Sequence, residues 1–270
     1  MSGPQKRYWA ELCTGEFAAL DPARAIAVLP VAAVEQHGPH LPLGVDAWIN
    51  AGILDAALAQ LGDDAAVLVL PPQMIGKSEE HLGFAGTLSQ PADLAVRQWN
   101  EIGAGVARAG LRKILIFNSH GGNPPVMEIV ARDLRVRHAM LAVCANWYDL
   151  VDLKDWFDAN ELRHGIHGGA VETSIMLHLR SDLVDMSKAA AFASLSQTME
   201  ADFKRLSPVG RPFFAWATQD LNRSGAVGNA AAGDAAKGAE IVASAARGLI
   251  ELFDDIERFD LAWLKPPYES

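Results

Sequence analysis

Four side chains able to hold a metal ion lie within one short stretch of this chain. The segment VEQHGPHLPLGVD, residues 34–46, carries Glu35, His37, His40 and Asp46 directly behind the apolar run AIAVLPVAA. In an extended backbone successive side chains alternate faces, so Glu35 and His37, two positions apart, point the same way as a ligand pair. Gly38 and Pro39 stop the extended run there. Asp46 falls at or just before the next helical pattern, where it either caps backbone N–H groups or turns back toward the pair. His40, five positions from Glu35, has no fixed common face with it and reads as a pocket or structural residue.

Two further clusters repeat the theme. KILIFNSHGGNPP places His120 after a second buried run, with Gly121 and Gly122 leaving the imidazole uncrowded. RHGIHGGAVETSIMLHLR carries His164, His167 and Glu172. Glu172 stands in the first turn of a helical pattern, where it serves either as a ligand or as a complement to the helix dipole. His167 is equally compatible with a turn residue bonded to backbone, and His178, six positions past Glu172, lies nearer the opposite helix face. Taken together the charges balance: two divalent cations bring four positive charges, Glu35, Asp46 and Glu172 return three, and a hydroxide neutralises the remainder. Neutral His37 and His120 complete a donor set suited to zinc, manganese or ferrous iron. One carboxylate, most simply Asp46, would bridge the two ions, and a shared water would ionise near neutral pH.

Short apolar, β-branched runs alternating with longer amphipathic ones must position these residues, a pattern of βαβ units and a mostly parallel sheet covered on both faces. Strands are expected over 25–34, 66–70, 113–118 and 140–146, and helices over 47–61, 94–109, 125–136, 170–179 and 230–253. Asn123 is placed to cap the third helix, with a proline in its first turn. Carboxyl ends of strands are where open α/β sheets keep their sites. The segment 187–229 is the least periodic and reads as an insertion, a lid or an oligomer contact, and no composition break divides the 270 residues into two domains.

Half of the residues are hydrophobic and the formal net charge is −10, which permits a sizeable core and argues against nucleic acid or an anionic membrane as partner. A small molecule is the expected partner. No basic-then-apolar leader opens the chain and no run approaches the roughly 20 apolar residues of a membrane span, so a cytoplasmic location is expected. Cys13 and Cys144 lack metal-type spacing, and Cys144, within MLAVCANW, reads as a small core residue.

These residues resemble the creatininase family of metal-dependent amidohydrolases. VEQHGPHLPLGVD, SEEHLGFAGTLS, NSHGGN, HGGAVETS and FAWATQDLNRSGAVGNA occur in the family's order and cover most of the chain. The resemblance implies one three-layer α/β/α domain over 1–270, assembled into a homo-oligomer that is often hexameric. It implies a dinuclear centre held by Glu35, His37, Asp46, His120 and Glu172, with His167 moving protons or steadying the intermediate. The implied reaction is cleavage of a cyclic or small amide. Where creatininase proper reads His-Tyr-Glu-Asn, this chain reads His120-Gly121-Gly122-Asn123. Tyr148 beside Trp147, and Arg163, stand where creatinine-closing tryptophans are expected. Both departures argue against creatinine as the substrate. Family members with the His-Gly-Gly-Asn form include N-formyl deformylases, a peptidase and hydrolases of sugar-derived rings. Arg163 or Arg211 suits a substrate carboxylate or phosphate.

Three rival readings are weaker. A Ser119 or Cys144 nucleophile lacks a G-x-S-x-G elbow. GAGVARAG, from Gly103, misses dinucleotide-binding spacing and precedes the strand it should follow. A purely structural metal site would close around one ion with four ligands, whereas five are available here.

Overall fold

A computed structural model describes residues 6–210 and 212–265 of the chain. Its centre is a parallel sheet ordered β2-β1-β3-β4, built from β1 (Ile26–Val31), β2 (Val67–Val69), β3 (Lys113–Asn118) and β4 (Leu141–Asn146). β1 pairs with β2 from Ile26↔Val67 and with β3 from Ile26↔Lys113 to Val31↔Asn118, so the last residues of β1 and β3 lie side by side. The expected parallel α/β architecture is therefore present, with β3 at its expected bounds and β1, β2 and β4 somewhat shorter than their apolar runs.

Alternation along the strands divides the core in two. Ile26, Val28, Leu115 and Phe117 face helices α2 (Val45–Leu58), α6 (Ala170–Arg180) and α9 (Ala235–Arg258). Ala27, Leu29, Ile114 and Ile116 face α3 (Ala92–Arg108) and α4 (Pro124–His138). A short α1 (Thr14–Phe17) precedes the sheet, and α5 (Ala159–His164) precedes α6. β1 and β2 are apolar throughout because both of their faces are covered, whereas β3 begins at Lys113 and ends at Asn118 and the edge strand β4 is only part-buried. No helix among the described residues is long and apolar enough to cross a membrane.

Segment 187–229 carries short elements, β5 (Ala191–Phe192), α7 (Leu195–Asp202), α8 (Thr218–Leu221) and β6 (Gly228–Asn229), with no helix or strand among the described residues between α7 and α8. Its far end returns to the sheet's carboxyl edge, where Val227 N–H donates to the His167 carbonyl at 2.8 Å. Two local expectations are corrected. Cys144 is exposed, because β4 is an edge strand rather than a central one. Asn123 occupies the cap position of α4, with prolines following, but its side chain makes no capping bond. It instead accepts from Lys77 N–H at 3.1 Å and donates to the Ala32 carbonyl at 3.1 Å, tying three segments together beneath the strand ends.

Candidate metal centre

The site forms where β1 and β3 end. Past β1 the chain stays extended through Glu35 and turns back on itself, with Glu35 N–H donating to the Leu43 carbonyl at 2.9 Å. That bond brings the start of α2 alongside Glu35. Asn50 of α2 donates to the Val31 and Phe117 carbonyls at 3.3 and 3.1 Å, closing off both strands. Ser119 donates its hydroxyl to the Asp46 carbonyl at 2.8 Å, which fixes the first turn of α2 against the end of β3. A hydroxyl committed to that bond leaves the serine-nucleophile reading without a free nucleophile.

The structure brings all five expected ligand side chains together. His120 Nδ1 lies 3.1 Å from Glu35 Oε2 and 3.3 Å from Asp46 Oδ2. His37 Nε2 lies 3.5 Å from Asp46 Oδ1 and 3.9 Å from both Glu35 Oε1 and Glu172 Oε2. Donor atoms sharing an ion at roughly 2.0–2.2 Å stand roughly 3–3.6 Å apart, close to this spacing. Glu35, Asp46 and His120 form one compact trio and His37, Asp46 and Glu172 another, with their donor atoms within 4.8 Å of one another. Asp46 is common to both, one oxygen toward each imidazole. A third trio joins Glu35 and His37 to His167.

Buried polar atoms test whether a cation fits. His37 Nε2 and Asp46 Oδ2 are buried and have no hydrogen-bond partner among the described residues. Such atoms are costly unless something satisfies them. The histidines are pre-set as donors of electron pairs: His37 Nδ1 is 3.0 Å from the Glu35 carbonyl and His120 Nε2 is 2.8 Å from the Lys77 carbonyl. A carbonyl only accepts, so in the neutral rings the hydrogen sits on those outer nitrogens and the inner ones carry lone pairs. Carboxylates, inward lone pairs and orphaned atoms are the chemistry a divalent ion requires, and the residues fit one.

Electrostatics agree. Burial opposes the charged form of His37, yet the surrounding Asp46, Glu172 and Glu35 carboxylates hold the imidazole up at about 9. His120 is likewise raised, against burial, by Glu35, Asp46 and Glu80. For Asp46 burial is outweighed by the His120 and His37 imidazoles beside it, and the carboxyl is held at about 2. Glu172 is pushed up to about 7, chiefly by burial and with help from Asp46 and Glu35, against the pull of His37.

Both carboxylates whose roles were open resolve in position. Asp46 lies in the first turn of α2 without a capping bond. Glu172 accepts from Gly168 N–H at 2.6 Å, while the buried Glu161 carboxylate takes the Ala170 N–H at 2.6 Å at the start of α6. His167 is buried, with Nε2 2.6 Å from the Gln36 carbonyl and Nδ1 3.7 Å from Glu35 Oε1. Other candidates fall outside the cluster. His40 binds Thr173 Oγ1 at 2.9 Å and its ring, lowered to about 4 by burial and His37, is structural. His178 is exposed, Arg163 is an exposed residue paired with Glu200, and Arg211 lies outside the described residues.

The segment SEEHLGFAGTLS contributes three residues that spacing did not single out. Ser78 donates to Glu35 Oε2 at 2.5 Å, Glu80 Oε1 stands 3.5 Å from His120 Nε2, and His81 Nε2 is 3.4 Å from Glu35 Oε1. They sit on a loop and a single short turn, Glu79–His81, where no periodicity marks an inward face. Gln36, between the ligand pair, was missed for the opposite reason, since strand alternation turns it away from them.

With this geometry in hand, comparison with known proteins is informative. Residues 10–253 match the creatininase family model, described as creatinine amidohydrolase. The chain is 32% identical over 176 residues to a mycofactocin precursor peptide peptidase of Mycolicibacterium smegmatis, covering 64% of this chain and 66% of that protein, just under two thirds of its length. It is 28% identical over 199 residues to a creatinine amidohydrolase of Pseudomonas putida, covering 68% and 72% respectively. The fold superposes on a crystal structure of creatinine amidohydrolase with a TM-score of 0.74 at 23% identity, covering 94% of this chain and 98% of that one. Creatininase structures named as manganese and zinc–zinc forms align with TM-scores of 0.73 and 0.74. A family match across nearly the whole described chain, on this fold and around these side chains, means that the protein belongs to the creatininase family of amidohydrolases.

Proposed function

We propose that this protein is a metal-dependent hydrolase of a small or cyclic amide, acting through one domain that spans 1–270. The observation that carries the reading is Asp46, buried between two trios of donor atoms with one carboxylate oxygen toward each. Glu35, Asp46 and His120 would hold one divalent ion, and His37, Asp46 and Glu172 the other. Zinc, manganese or iron suits this donor set. Bound there, such ions supply electrophilic polarisation of a carbonyl and a water ionised near neutral pH.

The chain's own residues do the rest. His37 and His120 keep lone pairs inward because their outer nitrogens are anchored to backbone carbonyls. His167, anchored through Nε2 to Gln36, leaves Nδ1 free to take a proton and return it to the leaving nitrogen. Burial and the neighbouring His37 hold its proton affinity well below that of a free imidazole, so the ring starts neutral and a proton once taken is readily given up. Assembly as a homo-oligomer and residence in the cytoplasm belong to the same reading.

Similarity to the peptidase favours a second substrate class, a short peptide, on the same site. A screen of cyclic amides, N-formyl compounds and short peptides, with protein reconstituted in zinc, manganese or iron, tests both. Hydrolysis that needs metal and returns on reconstitution is expected. Full activity after complete metal removal would sink the mechanism.

A further inference from the structure

Four imidazoles surround Glu35, and three of them turn a lone pair inward: His37 and His120 as described, and His167 through its Nε2–H bond to the Gln36 carbonyl. His81 is the exception, and Gln36 is the reason. The Gln36 amide is oriented by two backbone groups: Oε1 accepts from Gly38 N–H at 3.0 Å, and Nε2 donates to the Gly225 carbonyl at 2.8 Å. Turning the amide over would set oxygen against oxygen and N–H against N–H. Packing holds it as well, since any Cβ at Gly225 (φ +87°) would collide with Gln36 Oε1. His167 Nε2, 3.2 Å from Gln36 Nε2, already carries the hydrogen it gives to the Gln36 carbonyl and cannot accept another, so the second hydrogen on Gln36 Nε2 points at His81 Nδ1, 2.7 Å away. Thr218 Oγ1, 2.9 Å from the same nitrogen, can turn its hydroxyl hydrogen either to Nδ1 or to the Glu80 carbonyl at 3.0 Å, and as a second donor to Nδ1 it is compatible with the Gln36 bond. His81 Nδ1 is thus an acceptor, and the ring's hydrogen must sit on Nε2, 3.4 Å from Glu35 Oε1.

We propose that Gln36 locks His81 in the ring form with its hydrogen on Nε2, so that His81 turns an N–H toward Glu35 rather than offering a lone pair to a metal ion. His81 is then a positioning residue. Its Nε2 faces one Glu35 oxygen at 3.4 Å while the Ser78 hydroxyl donates to the other, with His120 beside it, and together these neighbours restrict the rotation of the carboxylate. The donor depends on α8, because Thr218 and Gly225 come from the 187–229 segment that closes over Gln36. This inference rests on Glu35 being a metal ligand only for its effect on metal affinity; the hydrogen position follows from Gln36 alone.

The test uses zinc-loaded protein labelled with ¹⁵N-histidine, whose long-range ¹H–¹⁵N spectrum separates the two ring forms; the His81→Gln spectrum assigns the signal. Wild type should show His81 with the hydrogen on Nε2. In Gln36→Glu the carboxylate can only accept, so the hydrogen should move to Nδ1. His81→Leu should weaken zinc binding about 10–100-fold by chelator competition, the usual effect of losing an outer-shell partner, whereas His81→Gln, which keeps an N–H, should recover most of it. A wild-type signal with the hydrogen on Nδ1 overturns the proposal even if no variant folds. Equal zinc affinity for His81→Leu and wild type removes the positioning role. Failure of wild type to bind zinc would count against the metal reading and leave the ring form to be judged by the spectrum of the metal-free protein.

Discussion

Asp46→Asn is the perturbation that most directly tests the shared carboxylate. Asp46 offers Oδ1 to the His37 side at 3.5 Å and Oδ2 to the His120 side at 3.3 Å. An amide has a single oxygen, so one trio must lose its donor and face an NH₂ group, while both lose charge. The three carboxylates facing four positive charges become two. Changing an outer-shell partner costs about 10–100-fold in affinity, so losing a direct donor sets a floor of about 100-fold for one ion. Loss of charge alone places the other at about 10-fold. These correspond to about 2.7 and 1.4 kcal/mol. The fold should survive: Asp46 makes no capping bond in α2, and a first-turn carboxylate contributes about 0.3–1 kcal/mol, a shift of a few degrees in Tm. Chelator-competition titrations, with elemental analysis after desalting, read both ions. Retention of both at wild-type affinity would refute the bridging role. So would loss of one ion with the other unaffected.

Other outcomes can be stated with their measurements. His167→Ala should keep its metal content and lower kcat by about 10²–10⁴-fold in a turnover assay; a wild-type rate removes His167 from proton transfer. Metal affinity should rise with pH. His37, held at about 9 in the metal-free protein, keeps a proton below that value which a cation must displace, and Glu172 adds a second below about 7. The expected slope is at least about tenfold per pH unit between 7 and 9 and steeper below 7, and a flat profile in pH-stepped chelator titrations would contradict it. Gly122→Ala would drive a Cβ into Glu80 Oε1, His120 Nε2 and the Lys77 carbonyl. Overpacking of this kind costs about 1–3 kcal/mol, visible in thermal unfolding, and by breaking the His120–Lys77 bond it should also weaken metal binding; an unshifted Tm would show that the loop yields.

Much of the sheet and part of the site were legible in the linear chain. Apolar runs with both faces covered predict β1 to β4, and period two alone puts Glu35 and His37 on one side of the extended segment. His120 is placed by the end of β3. Asp46 and Glu172 were not decidable locally, because a carboxylate in a helix's first turn has the same pattern whether it serves the helix or a cation. The Glu35–Leu43 backbone bond and the Ser119–Asp46 bond bring Asp46 to the cluster, whereas Glu172 does both, accepting the Gly168 N–H at the start of α6 while it stands 3.9 Å from His37 Nε2. Asn123 shows the reverse error: its position predicts a cap, and tertiary contacts claimed its side chain instead.

Sequence by itself determined the donor types, the alternation that aims a ligand pair, and the strand ends that gather them at one edge. Only the tertiary structure decided which carboxylates turn inward, and that His81 and Gln36 meet beside Glu35. Period and capping act over a few residues. The His81 ring form follows from Gln36, 45 positions away, whose amide is oriented in turn by Gly225, 189 positions from Gln36, and such convergence is fixed by sheet register and by the return of a distant segment.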